Sequence, residues 1–153
     1  MVIDLNFDVS TLSSTIFMKG TDPRNYTHEE LKEIESYGLA FGEWEKTKIG
    51  EAPKMPPLPH FTPFQAATNL IRQAVLNSRK VGNSGNLRHI IRVINDIDAQ
   101  IKPEATQLIL TQDDVAFIRK QFGKIEWKVE GVHQDGLKFI ILVEDALKNA
   151  KIK

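Results

Sequence analysis

The sequence of 153 residues contains no cysteine. Disulfides, thiolate zinc sites, iron–sulfur clusters and cysteine nucleophiles are therefore excluded. Long apolar runs are missing too. The longest, Phe139–Val143, is far shorter than the roughly 20 residues that cross a bilayer, so no membrane partner is predicted. The first residues have neither the basic start nor the apolar run of a signal peptide, and we expect no secretion by that route.

An excess of charge of one sign is also missing, because 20 basic side chains balance 20 acidic ones. This balance argues against a surface tuned as a whole to nucleic acid or to an anionic membrane. The length is that of one domain, and we treat 1–153 as one domain. The charge is nevertheless uneven: residues 1–62 hold 6 basic and 10 acidic side chains, and residues 63–153 hold 14 and 10.

Motifs for catalysis are scarce. No two of the four histidines have the spacing of a metal-binding pair. His133 and Asp135 could form a dyad, but no activated nucleophile lies near them in the sequence. The segment 82–86 resembles a phosphate-binding loop without its Gly-Lys-Ser/Thr ending. Asp113 and Asp114 are read as acids that favour the positive end of a helix rather than as metal ligands. The sequence thus predicts no enzyme, no cofactor and no metal.

Capping signals and apolar periodicity predict five helices. Thr27 with Glu30, and Thr62 with Gln65, have the spacing of a capping box. From Leu87 to Ile101 apolar residues recur at spacings of three and four, a seam that serves the core or a homo-oligomer. The predicted helices cover about 28–37, 63–79, 87–101, 112–122 and 134–149.

The predicted helix ends rest on single residues. Gly38 and Gly123 are expected to end the first and fourth helices, and Asn86 is expected to be the N-cap of the third. Lys102 is the latest end of the third helix, because Pro103 follows it.

Short strands are predicted near the start of the chain and late in it. Residues 2–7 and 107–110 are expected to pair with each other, and 15–18 is a further strand candidate. Residues 139–143 also suit a strand, although helix is favoured there. The predicted fold class is mainly α, with about five helices and a minor two- or three-stranded β element. An α+β fold is the alternative.

Prolines set one segment apart. Five of them between 53 and 63 remove backbone donors and favour extended chain, so 46–61 is predicted to be a linker or an extended arm. Within it, Pro56 and Pro57 are candidate interaction residues. The segment is interpreted either as a ligand for an SH3-like partner or as a stiff connector, and the connector is favoured. Trp44, just before this arm, is a candidate interface anchor, with buried packing as the alternative.

Basic residues cluster between 63 and 95, where no acid occurs. We call the two predicted helices that carry them the basic helix pair, which could bind phosphates or an acidic protein surface. Its basic residues are Arg72, Arg79, Lys80, Arg88 and Arg92. Asp96 is a candidate ion-pair partner of Arg92. The loop between the helices is longer than a helix-turn-helix turn, and the second helix lacks a polar cluster for base edges. Nucleic acid is therefore the less favoured partner.

The opening Val2–Asn6, the run Leu110–Lys120 (LTQDDVAFIRK) and the closing amphipathic helix together resemble a family of small conserved proteins encoded by tailed bacteriophages. The resemblance covers roughly residues 1–7 and 64–148, so 20–62 is read as an insertion with an acidic helix and the proline-rich arm. The family has no catalytic motif to carry over.

The resemblance implies a non-enzymatic phage accessory protein with a protein partner, located in the host cytoplasm or in the virion. The main hypothesis is a virion component or an assembly protein that binds a phage structural protein. A phage modulator of a host protein in transcription or defence is the first alternative. Nucleic-acid binding through residues 63–95 is the second.

Overall fold

A computed structural model describes residues 1–20, 22–77, 84–127 and 133–152, with the backbone alone for 84–86. Its regular elements are five α-helices and two short strands, which confirms a mainly α fold with a minor β element. In chain order they are β1 (Val2–Asp4), α1 (His28–Thr47), α2 (Pro63–Leu76), α3 (Ser84–Asp98), β2 (Gln107–Ile109), α4 (Gln112–Lys124) and α5 (Gln134–Lys148).

The chain divides into two compact units. Unit 1 comprises residues 1–16 and 62–153, and unit 2 comprises residues 17–61. Unit 2 overlaps the segment 20–62, whose interpretation as an insertion stays a prediction. Of the α-helices and strands named above, all except α1 belong to unit 1.

Unit 1 has a continuous apolar core. Helix α2 packs against α3, α4 and α5, helix α4 packs against α5, and α5 also contacts β1. Each helix contributes one apolar stripe, as its periodicity predicts. The largest fully buried side chains are Phe64, Phe122, Ile3, Leu5, Ile71, Ile97, Leu108, Ile118, Leu147, Val75, Val93 and Val115.

The two strands form an antiparallel pair in which Ile3 lies opposite Leu108. The predicted pairing of residues 2–7 with 107–110 is therefore confirmed, although each strand is shorter than predicted. The outer edge of β2 is occupied by a side chain: the Gln100 amide donates to the Ile109 carbonyl and accepts from the Ile109 N–H, both at 2.7 Å. On the free side of β1, Val2 forms a bridge with Lys151.

Both predicted capping boxes are present. The Thr27 hydroxyl accepts from the Glu30 N–H and the Glu30 carboxylate accepts from the Thr27 N–H, and Thr62 and Gln65 form the same reciprocal pair. These bonds satisfy backbone donors that have no partner inside a helix.

The strand predicted at 15–18 is wrong. Residues Ser14–Phe17 form a 3₁₀ helix, and only Met18 pairs, in an isolated bridge with His60. The Ser13 hydroxyl accepts a hydrogen bond from the Thr15 N–H. A local bond of this kind favours a turn over a strand ladder.

Five helix ends differ from the prediction, and one of them is the end of α2, which lies at Leu76 rather than at 79. Helix α1 continues through Gly38 to Thr47, and α4 continues through Gly123 to Lys124. A helical glycine costs only about 1 kcal/mol relative to alanine, so good helix formers beyond it can continue the helix. Helix α3 begins at Ser84, so Asn86 lies inside it rather than at its N-cap, and it ends at Asp98 instead of 101. The predicted loop between α2 and α3 lies largely outside the described residues.

The arm predicted at 46–61 is wrong at its start, because Lys46 and Thr47 are the last residues of α1. Lys48 then adopts a left-handed conformation, with φ of 52°, and its N–H donates to the Trp44 carbonyl. This conformation is a common way for a helix to end. Residues 48–61, called the proline arm below, contain no helix or strand.

Candidate protein-binding surface

Helix α1 is unusual because none of its 20 residues is buried. Its apolar side chains are nevertheless arranged for packing: Leu31, Ile34, Gly38 and Phe41 follow one another at spacings of three and four, which places them on one face. Leu31, Ile34 and Phe41 are 38%, 39% and 36% exposed. We call this stripe, together with Gly42, the open face of α1. In most folded proteins such a stripe is covered by another element.

The two glycines make the open face shallow in its middle. A Cβ atom added to Gly38 or Gly42 would meet no atom within 4 Å. Neither glycine has a positive φ, so the helix itself does not require them. No described packing contact explains why alanine, the better helix former, is absent from either position.

Acidic side chains border the open face. Helix α1 carries six acidic and two basic residues. Glu45 continues the stripe four residues after Phe41, and Glu35 lies four residues after Leu31. Both are exposed, and neither forms an ion pair with another described residue. Of the two bases, Lys32 lies about 200° around the helix from Ile34, and Lys46, four residues after Gly42, is paired with Glu43 at 3.4 Å.

A strip of α1 that adjoins the open face, and meets it at Phe41, is partly covered. Glu30, Tyr37 and Trp44, spaced by seven residues, are the half-buried positions of the helix. The Phe41 ring lies between the other two rings, with centroids 6.0 Å from Tyr37 and 5.6 Å from Trp44. The Trp44 indole N–H donates to the Gly50 carbonyl at 3.1 Å. Trp44, the predicted interface anchor, is thus half-buried and fixes the start of the proline arm.

The proline arm shows a three-residue period of burial. Pro53, Pro56 and Pro59 are half-buried, whereas the residues between them are exposed. Three residues per turn is the period of a polyproline II helix, so one side of the arm is covered and the others face solvent. Of the two prolines predicted as interaction residues, Pro56 is on the covered side and Pro57 is exposed.

The end of the proline arm is tied back to the start of unit 2. The Lys19 N–H donates to the Pro59 carbonyl at 3.1 Å, and the Phe61 N–H donates to the Phe17 carbonyl at 2.7 Å. The Lys19 ammonium also lies 5.5 Å from the centre of the Phe61 ring. The two ends of unit 2 are therefore joined by backbone hydrogen bonds where the proline arm ends.

Lys19 joins the arm to α1 through charge. Its Nζ donates to Oε1 of Glu30 at 2.7 Å, and its side chain is only 8% exposed. Burial acts to raise the pKa of Glu30, but hydrogen bonds from Lys19 and Thr27 outweigh it and the pKa is lowered. Glu30 thus both caps α1 and neutralises the buried ammonium.

The basic helix pair is partly neutralised inside unit 1. Arg92 donates to both carboxylate oxygens of Asp114, at 2.7 and 3.0 Å, and to Asp96 at 3.2 Å. The predicted pairing with Asp96 is therefore confirmed. Hydrogen bonds from Arg92 hold the pKa of Asp114 below its usual value, and the Asp114 side chain is 1% exposed. Sequence reasoning assigned Asp114 to the helix dipole and missed this pair.

The other predicted basic residues have mixed placements. Arg72 lies 3.0 Å from a carboxylate oxygen of Asp98. Arg88 is exposed. Arg79 and Lys80 lie outside the described residues. The structure therefore leaves one of the three described arginines, Arg88, without a carboxylate partner among the described residues.

The predicted His133–Asp135 dyad serves helix capping. His133 is the N-cap of α5, where its ring accepts from the Asp135 N–H, and Asp135 accepts from the Ser13 N–H at 2.7 Å. An open cleft of about 610 Å³ lies between the β1 segment and the end of α5, where Asp4 and Asp145 contribute carboxylates. Within the described residues no group of three or more histidine or acidic side chains is placed to hold a metal ion.

Across the described residues, no helix combines the length and the apolarity needed to cross a membrane. Comparisons with protein-family models, with curated proteins and with solved structures gave no match to this chain.

Proposed function

We propose that this chain is a non-enzymatic protein that binds another protein through unit 2, as a virion component or in particle assembly of a tailed phage. One observation carries the proposal: a 20-residue helix has an apolar stripe but no buried residue. Exposed apolar patches bordered by polar residues are typical of protein–protein interfaces. The phage setting is supported by the family resemblance alone.

Unit 2 as a whole is rich in exposed large apolar side chains, as protein–protein interfaces are. Eight of the fourteen large apolar side chains that are exposed among the described residues belong to it, including Met55 and Leu58 of the proline arm. Its turns are fixed by hydrogen bonds, so the surface is largely formed before a partner arrives. Preorganisation of this kind lowers the entropic cost of binding.

The test is a capture experiment with the tagged full chain in lysate of infected cells, with and without nuclease, read by mass spectrometry. The variant Phe41→Asp places a charge on the open face, and Leu39→Asp is its matched control. Leu39 is 68% exposed and lies about 200° away on the same helix. We expect phage structural proteins with the wild type and with Leu39→Asp, and their loss with Phe41→Asp.

Equal capture by all three proteins would contradict a role for unit 2. A single host protein in place of phage proteins would contradict the assembly role and indicate a modulator. Recovery that disappears with nuclease would direct attention to Arg88 and the basic helix pair instead.

A further inference from the structure

From the geometry and charge of the open face we infer that the partner contributes a basic amphipathic helix, which lies along α1 and crosses it at Gly38 and Gly42. This inference rests on the proposed function, since it names the kind of partner element that the same surface accepts. Three observations lead to it: the length of the face, its shallow centre and its acidic border.

The length of the face suits a helix. From Leu31 to Glu45 the stripe extends over about 21 Å at 1.5 Å per residue. Helix-on-groove recognition uses apolar anchors at spacings of three and four, the same spacing that Leu31, Ile34 and Phe41 have. An extended segment would need a strand edge with free backbone groups, which the interior of a helix does not offer.

The centre of the face allows close approach. With no Cβ at Gly38 and Gly42, and no atom within 4 Å of either added position, a second helix can lie closer to α1 here than at Leu31 or Phe41. Larger apolar side chains on both sides of the glycines would then contact the flanks of the incoming helix. This distribution of sizes matches ridges of one helix to a groove of the other.

The acidic residues around the open face favour a partner helix with basic side chains. Glu35 is exposed beside the apolar stripe and Glu45 is exposed at its end, and neither has an ion-pair partner among the described residues. Lysine or arginine at the flanks of the incoming helix would neutralise them. A second copy of α1 would instead place like charges opposite each other, since this helix carries six acids and two bases.

The experiment uses the full chain and two synthetic amphipathic peptides of about 18 residues, or about 27 Å of helix. Both have the same apolar stripe of leucine and alanine. One has lysine at every polar position and the other has glutamate. Isothermal titration calorimetry measures each affinity at low and at physiological salt.

We expect the lysine peptide to bind at least about tenfold more tightly than the glutamate peptide, with a difference that shrinks as salt rises. Phe41→Asp should remove binding of the lysine peptide, and Leu39→Asp should retain it. Gly38→Ala and Gly42→Ala should each weaken binding about tenfold, although alanine favours the helix. Ser36→Ala, an exposed position about 200° from Ile34, is the control and should bind like the wild type.

Equal affinity for the two peptides would overturn the inference, and so would unchanged binding by both glycine variants. A dimer of the free protein that Phe41→Asp dissociates would also overturn it, by showing that a second copy occupies the face. If the inference fails in this way while Phe41→Asp still loses its partner in the lysate, the proposed function stands. If capture is unaffected by Phe41→Asp, the proposed function fails as well.

Discussion

Unit 1 and unit 2 are stabilised by different kinds of contact. Of the nineteen apolar side chains buried among the described residues, eighteen belong to unit 1 and only Phe17 belongs to unit 2. Unit 2 depends instead on a capping box, a buried ion pair and backbone bonds that close the proline arm. A segment of 45 residues rarely supplies a sufficient core of its own. Unit 2 thus leaves most of its large apolar side chains exposed, whereas most of those in unit 1 are buried or half-buried.

The largest expected effect comes from the core of unit 1. Phe122, 1% exposed and 5.3 Å from the Trp127 ring centre, should cost about 3–5 kcal/mol of unfolding free energy when changed to alanine. Phe41→Ala in unit 2 should cost less, about 1–2 kcal/mol, because its ring contacts Tyr37 and Trp44 but is 36% exposed. Urea unfolding followed by circular dichroism measures both. Similar losses of unfolding free energy for the two variants would contradict the view that only unit 1 depends on an apolar core.

A smaller effect is expected for the ion pair of unit 1. Asp114→Asn should lower the unfolding free energy by about 2–3 kcal/mol, because a buried charged hydrogen-bond acceptor is lost. The folded state lowers the pKa of Asp114 below 3.8. Its contribution is therefore complete above that value and is lost as the pH falls through the lower folded pKa.

Urea unfolding between pH 7 and pH 2.5 tests this pH dependence. The wild type should lose stability more steeply with acid than Asp114→Asn does. If the unfolding free energies of the two proteins fell in parallel with pH, the carboxylate of Asp114 would have no stabilising role.

The ion pair of unit 2 should act locally. Glu30→Gln keeps a side chain that can cap, as Gln65 does at the start of α2, but it leaves Lys19 buried without a counter-charge. We expect a loss of about 1–2 kcal/mol confined to unit 2. Hydrogen exchange should show faster exchange of α1 amides and unchanged α2 to α5. Faster exchange in unit 1 as well would mean that the two units unfold together.

The smallest effects come from the helical glycines, and they have the opposite sign. Gly38→Ala, Gly42→Ala and Gly123→Ala each fill open space and should each add about 0.5–1 kcal/mol of stability. The gain at Gly123 should raise the global unfolding free energy, since α4 belongs to the core. The gains at Gly38 and Gly42 should slow exchange of α1 amides only. A loss of stability at any of the three would show that its space is occupied.

Sequence reasoning recovered the features that depend on neighbouring residues. Thr27 and Thr62 cap their helices because the donors they satisfy lie three residues away. The pairing of β1 with β2 was also predicted, since strand residues must find a partner somewhere in the chain. The ends of α1 and α4 were predicted too early, because the cost of one glycine is small against the residues that follow it.

Features that depend on tertiary placement were not recovered. Asp114 follows Arg92 by 22 residues, and nothing local indicates that α3 and α4 bring the two side chains together. Lys19 and Glu30 are another such pair. The proline content predicted a segment without regular structure, and residues 48–61 contain no helix or strand, but it could not show that residues 59–61 return to Phe17 and Lys19. The open face of α1 is readable as a stripe, and only the structure shows that its apolar side chains stay 36–39% exposed.

The Gln100 amide has a consequence for aggregation. By bonding both backbone groups of Ile109, it occupies part of the outer edge of β2, where a foreign strand could extend the two-stranded sheet, while Lys151 occupies the free side of β1 at Val2. An unprotected edge of this kind is a template for intermolecular pairing and for fibrils. The small sheet is thus occupied at Ile109 and at Val2, whereas the open face of α1 exposes side chains whose backbone groups are bonded within the helix.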